Sequence, residues 1–195
     1  MNKTLYLLVG RSASGKTTIA NILEKEYSKK QVSSYTTRAP RYEGECGHTF
    51  ISKEEFNNLK DLVSYTFYNG NDYGVTTSML DESNIFVVDV PGVESLLQKY
   101  KTDRQICIIY FNANVYTRIN RLLERGDSDS EIVSRLLTDE KDDWWDKIDA
   151  IVWHHKHLLG KNVKAYSINA NGDVRDVLRK IRYYIMEEND NGDSM

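Results

Sequence analysis

The chain has 195 residues, 40% of them apolar and 28% charged, with a formal net charge of −3. That is enough chain for one buried core, and no global positive field points to nucleic acid or an anionic membrane, so any anion has to be gripped locally. No stretch approaches the roughly 20 apolar residues of a membrane span, and the apolar part of MNKTLYLLVGR is too short for a signal peptide, which makes the cytoplasm the expected address.

The first apolar run, Leu5–Val9, reads as a buried strand and leads into Gly10-Arg-Ser-Ala-Ser-Gly-Lys-Thr17, which fits G-x-x-x-x-G-K-[ST]. Strand before and helix after is the context this pattern needs. Small residues let successive backbone N–H groups turn inward around an anion, and the start of the following helix, expected over Lys16–Lys29, adds its positive dipole end. Lys16 can then reach outer phosphates while the Thr17 hydroxyl ligates magnesium. Gly10, Ser12, Ala13, Ser14, Gly15, Lys16, Thr17 and Thr18 are the expected ATP-binding residues. The bland alternative is a Gly/Ser turn with a solvated lysine.

Residues 33–80 change character: Tyr, Thr, Asn and Gly dominate, in short alternating pieces that suggest antiparallel strands of an inserted lobe. Within it, Arg38 and Arg41 flank a stiff Ala-Pro step. Arginine forks match phosphate oxygens bidentately, so the pair suits a second phosphate group, although a solvated basic turn would look the same.

Further apolar runs at Ile85–Val90, Ile106–Phe111, Ile151–Trp153 and, mixed, at Ala165–Ile168 are the remaining expected strands. Helical periodicity falls at Val93–Lys99, Val115–Glu124, Ser130–Lys147 and Asp173–Met186, and the alternation argues for a parallel sheet covered on both faces. Asp89 lies at the end of its strand, where ligands of such sheets bind; it could equally cap the Pro91-Gly92 turn. Arg118, Arg121 and Arg125 share one helix face, and Arg135 follows on the next helix. Of the two cysteines, Cys107 sits in an apolar run and reads as packing, while Cys46 lies in a polar loop. Trp153-His-His-Lys-His157, read at a strand end, suits no common zinc pattern. Residues 189–195 read as a disordered tail.

Taken together, GRSASGKTT, SSYTTRAPRYEGECGHTFISKEEF (33–56), NDYGV, VVDVPGV and RLLERGDSDSEIVSRL resemble the guanylate kinase family over roughly residues 4–155. The resemblance implies a P-loop three-layer α/β/α fold with a parallel core sheet, an inserted small mixed β acceptor-binding lobe and a helical lid. Its parts would be a core at 1–32, 81–120 and 148–188, the lobe at 33–80 and the lid at 121–147. It implies an ATP-dependent nucleoside monophosphate kinase with Mg2+ as cofactor, GMP or dGMP as acceptor, no nucleic acid or membrane partner, and a monomeric or homodimeric state.

By the same resemblance, Arg38, Arg41 and Tyr73 would hold the acceptor phosphate, Ser34 would touch the base, and Asp89 would lie near the metal and the acceptor. Arg121, Arg125 and Arg135 would meet the phosphates when the lid closes. Arg118 has no family counterpart and reads as a solvated face residue. No general base is demanded, because the acceptor is already an anionic phosphate.

The chain departs from the family in its base-reading residues. Ser64 stands where the family has a guanine-binding glutamate, and His48 aligns with a family tyrosine across a shorter loop. A buried carboxylate discriminates strongly because the wrong base leaves it unsatisfied; a serine hydroxyl does not. Another nucleoside monophosphate or small phosphate ester, or a non-catalytic protein-binding module, are the alternatives, with Asp61 and Asp72 as replacements for the missing acid.

Overall fold

The computed structural model describes residues 4–45, 47–139 and 144–190, so Cys46 lies outside the described residues. In chain order they form β1 (Thr4–Val9), α1 (Lys16–Tyr27), β2 (Ser34–Thr36), β3 (His48–Phe50), α2 (Lys53–Asn57), β4 (Leu62–Tyr68), β5 (Asn71–Thr76) and α3 (Thr77–Asp81). There follow β6 (Ile85–Val87), α4 (Val90–Lys99), β7 (Gln105–Asn112), α5 (Val115–Arg125), α6 (Asp129–Asp139), α7 (Trp144–His157), β8 (Val163–Asn169) and α8 (Val174–Asp190).

Strands β6-β1-β7-β8 make a parallel sheet in that order. Successive residues of β1 point to opposite faces. Leu5, Leu7 and Val9 pack with Leu96, Leu97 and Ile148, while Tyr6 and Leu8 pack with Ile19, Leu23 and Ile181. Both faces are covered, which is why the strands read as unbroken apolar runs, and the three layers follow. Cys107 is fully buried in this sheet.

The lobe is a second sheet, β3-β2-β5-β4, in which β2 runs parallel to β3 and antiparallel to β5. It is therefore mixed rather than purely antiparallel. Hydroxyls stitch its β4 to the core: Ser64 Oγ donates to the Gly92 carbonyl at 3.0 Å, Thr66 Oγ1 to Asp89 Oδ1 at 2.8 Å, and Ser95 Oγ to the Val63 carbonyl at 3.3 Å. The approach is close, since a Cβ on Gly92 would lie 2.4 Å from Val88 Cγ2 and 3.1 Å from Ser64 Oγ.

Several expected elements are corrected. Ile151–Trp153 is not a strand but part of α7, where Ile148, Val152 and His155 bury one face and Trp153 is exposed. A three-residue apolar run cannot tell a strand from a helical stripe. The histidine segment accordingly sits at the end of a helix. The helix expected over Ser130–Lys147 is two elements, α6 ending at Asp139 and α7 starting at Trp144, with 140–143 outside the described residues. The strand expected through Val90 ends at Val87, because Asp89 caps α4 by accepting from Gly92 N at 2.9 Å and Pro91 occupies its first turn. Helix α1 stops at Tyr27, with Ser28 left-handed at φ 52°. Helix α8 continues to Asp190, so the expected tail 189–195 begins as helix, and 191–195 lie outside the described residues.

Candidate active site

The loop between β1 and α1 is wound as its sequence requires. Gly10 at φ 155° and Gly15 at φ 102° take up conformations that suit glycine, and Ala13 is also left-handed at φ 58°. A Cβ on Gly10 would lie 2.8 Å from the Phe111 carbonyl, so this glycine is also demanded by contact with the neighbouring strand. Lys16 folds back over its own loop, donating from Nζ to the carbonyls of Gly10 at 2.6 Å and Arg11 at 2.9 Å. Its pKa is pushed from 10.5 to about 8, chiefly by burial; Asp139 opposes the fall, Arg118 deepens it and Asp89 opposes it.

Two cavities meet at this loop. One, of about 760 Å³, is bordered by the backbone from Ala13 to Ile19 together with Arg121, Arg125 and Asn171–Val174. The other, of about 210 Å³, is bordered by Gly10, Ser12, Ser34, His48, Ser64, Tyr73, Asp89 and Asp139. Lys16 lines both. Thr17 and Thr18 line the first, and Thr17 is exposed. Its hydroxyl is the donor the sequence offers a magnesium ion. Among the described residues no group of three or more His, Cys, Asp or Glu forms a cage.

A third recess holds Arg38, Arg41, Tyr68, Tyr73 and Arg135. Arg38 grips Glu45 through two nitrogens, at 2.7 and 3.2 Å, and the Arg41 backbone N–H donates to the same carboxylate at 2.7 Å. Burial alone would raise the Glu45 carboxyl, but the Arg38 and Arg41 contacts hold it below its ordinary value. The Arg41 guanidinium is itself lowered, by burial first, then by Arg38, with Arg135 and Arg125 adding. Positive charge is thus crowded here beyond what one carboxylate satisfies. Arg125 and Arg135 share Asp127, with Arg135 Nε at 3.0 Å.

Arg121 is not detached from the loop. It donates to the carbonyls of Ala13 and Ser14 at 3.3 and 3.1 Å, and to those of Ala170 and Gly172 at 2.9 and 3.0 Å. Arg118, expected on a solvated face, is fully buried and paired with Asp139 at 2.8 Å. Helical spacing placed it beside Arg121 but could not show a partner 21 residues on. Asp139 carried no motif and escaped sequence reasoning altogether.

Ser34, His48 and Ser64 bring polar uncharged side chains to the smaller cavity, beside Lys16, Asp89 and Asp139. Ser34 Oγ and His48 Nδ1 lie 2.8 Å apart, and His48 is held below its ordinary pKa by burial first and Arg38 next. Ser64 spends its hydroxyl on Gly92. Asp72 is buried but engaged by Lys53 at 2.6 Å, Tyr65 at 2.9 Å and Thr37 at 3.3 Å, and Asp61 is exposed with φ 63°. Neither lines the cavity to replace the missing acid. Asp89 both caps α4 and faces the cavity, and burial pushes its carboxyl up against the hydrogen bonds from Thr66 and Gly92.

A parallel sheet covered on both faces, a phosphate loop bridging two cavities and an arginine-lined lobe define a P-loop nucleotide-binding enzyme fold. The guanylate kinase family model matches residues 2–152, and the chain belongs to that family. It is an ATP-dependent nucleoside monophosphate kinase. Similar proteins include a guanylate kinase of Helicobacter pylori (strain ATCC 700392 / 26695), 33% identical over 146 residues, covering 68% of this chain and 69% of that one. One from Alkalilimnicola ehrlichii is 27% identical over 151 residues, covering 71% and 73%. The crystal structure of guanylate kinase from Anaplasma phagocytophilum superposes with a TM-score of 0.52 at 17% identity, over 96% of this chain and 86% of that one, and shares its fold.

Proposed function

We propose that the protein transfers the γ-phosphoryl group of ATP to GMP or dGMP. The observation that carries this is Lys16, which borders both cavities and so stands where a phosphoryl group passes from one ligand to the other. ATP lies in the larger cavity, with its phosphates on the amides from Ser12 to Thr18, and the Thr17 hydroxyl would hold its magnesium. The acceptor phosphate replaces Glu45 on Arg38 and Arg41, beside Tyr73. Its base enters among Ser34, His48 and Ser64, with Asp89 at the phosphate end. Arg121, Arg125 and Arg135 supply positive charge to a transition state whose stabilisation is mostly electrostatic. When bound, magnesium neutralises the phosphate oxygens; the chain's own part is to align the two phosphates and exclude water.

A second reading, in which a different nucleoside monophosphate is the physiological acceptor, is favoured by one observation: position 64 carries a serine whose hydroxyl is spent on the Gly92 carbonyl. An ADP-release assay with Mg-ATP and a panel of ribo- and deoxynucleoside monophosphates tests both. Stimulation by GMP or dGMP is expected; stimulation by another member alone replaces the acceptor, and none at all overturns the catalytic reading.

A further inference from the structure

The peptide unit of Ser12 is held from both ends. Its N–H donates to Asp139 Oδ2 at 2.7 Å, its carbonyl accepts from Arg118 Nε at 3.0 Å, and Arg118 closes the ring with a second nitrogen 2.8 Å from the same Asp139 oxygen. The arginine is 0% and the aspartate 1% exposed. The other carboxylate oxygen, Oδ1, is buried with no hydrogen-bond partner among the described residues. An ionised oxygen left bare in a dry site is costly, and a permanent brace would gain by satisfying it.

The position of this ring gives it meaning. Ser12, Gly10 and Lys16 face the acceptor-side cavity, which Asp139 also lines, whereas the loop from Ala13 onward faces the nucleotide side. A phosphoryl group in transit therefore crosses at Ser12 and Lys16. One anion already sits there: a carboxylate on a loop N–H and a guanidinium, near enough to Lys16 to hold up its pKa. Two anions cannot share those donors.

We propose that Asp139 is a tethered stand-in for the terminal phosphoryl group of ATP, which displaces its carboxylate and takes over the Ser12 N–H and the Arg118 guanidinium. This rests on the loop being the ATP site, and adds to it Arg118 as a phosphoryl-binding cation and Asp139 as its resident competitor. The exchange leaves Arg118 paired, and a phosphoryl group offers more charge and more acceptor oxygens than a carboxylate. It also reaches the lid. Asp139 ends α6, and Arg135 lies four residues earlier on the same face, so a displaced carboxylate frees the helix that carries Arg135.

Comparing Mg-ATP with Mg-ADP isolates this seat, because ADP lacks the group that would fill it and loop distortion affects both nucleotides alike. Calorimetric dissociation constants are measured for the wild type and for Asp139→Asn, which keeps shape and an acceptor for Ser12 N–H but yields more readily. The preference for ATP over ADP is expected to rise about tenfold, the scale of one charged hydrogen bond. In the wild type, the Ser12 amide and Asp139 carboxyl resonances are expected to shift with a non-hydrolysable Mg-ATP analogue and not with Mg-ADP. A preference within twofold of wild type makes the pair a brace and overturns the proposal; if the variant does not fold, identical resonances in the two complexes do so. Wild-type protein that binds neither nucleotide removes the ATP site itself and the proposal with it, whereas binding of both with an unmoved preference removes only the stand-in.

Discussion

Replacing Lys16 by methionine separates what this residue does for the fold from what it does for a ligand. The fall of its pKa from 10.5 to about 8 means that holding the charged amine in this loop costs about 3 kcal/mol. Methionine keeps the length of the stem and removes that cost, but forfeits the hydrogen bonds to the Gly10 and Arg11 carbonyls, worth about 1–2 kcal/mol. The net is a variant more stable by about 1–2 kcal/mol at pH 7, or about 2–8 °C in Tm for a chain of this size. The sign follows from linkage. Between about pH 8 and pH 10.5 the unfolded chain holds a proton that the native lysine has released, so wild-type stability rises through that window and the gap to the variant closes. Thermal denaturation of both proteins at pH 7 and pH 10 checks the stability, and the ADP-release assay checks turnover, which is expected to vanish. A less stable variant at pH 7 would refute the reasoning, since the ammonium would then be a structural cation held by its own loop.

Three further outcomes are expected. Arg41→Ala should raise the acceptor KM by about tenfold or more while changing the affinity for Mg-ATP less than about twofold, since Arg41 lines the recess of the lobe and not the nucleotide-side cavity; steady-state kinetics against each substrate decide. Ser64→Glu, made at a buried site facing the cavity, should raise the kcat/KM ratio of GMP over IMP by about tenfold or more, and an unchanged ratio would place the base elsewhere. Glu45 has a lowered pKa, so its contribution to stability is present above about pH 4.5, the unfolded value, and fades as pH falls through the native one. Glu45→Gln should therefore flatten the acid limb of stability measured by urea denaturation between pH 3 and pH 6.

The parts of this architecture that were legible in the sequence are those written in local pattern. The phosphate loop announces itself through small residues whose backbone angles are required where they stand, and the central strands through apolar runs of five or six residues, as a doubly covered sheet produces. What was not legible depends on partners distant along the chain. Three residues, Ile151–Trp153, carry no period, and their helical state is decided by Ile148 and His155 burying the same face. Arg118 looked solvated because a charged residue among charged neighbours is the pattern of an exposed helix face. Its burial depends on Asp139, which is contributed by another helix at a spacing no local rule encodes.

The row of hydroxyl contacts along β4 has a mechanical consequence. With β4 tied to α4 and its cap through Ser64, Thr66 and Ser95, a hinged movement of the second sheet would have that seam as its axis. On such an axis the residues of β4 would stay at their distance from Asp89, while Arg38 and Arg41, which follow β2 two strands away, would travel further. A molecule held between them would meet one wall that stays and one that travels.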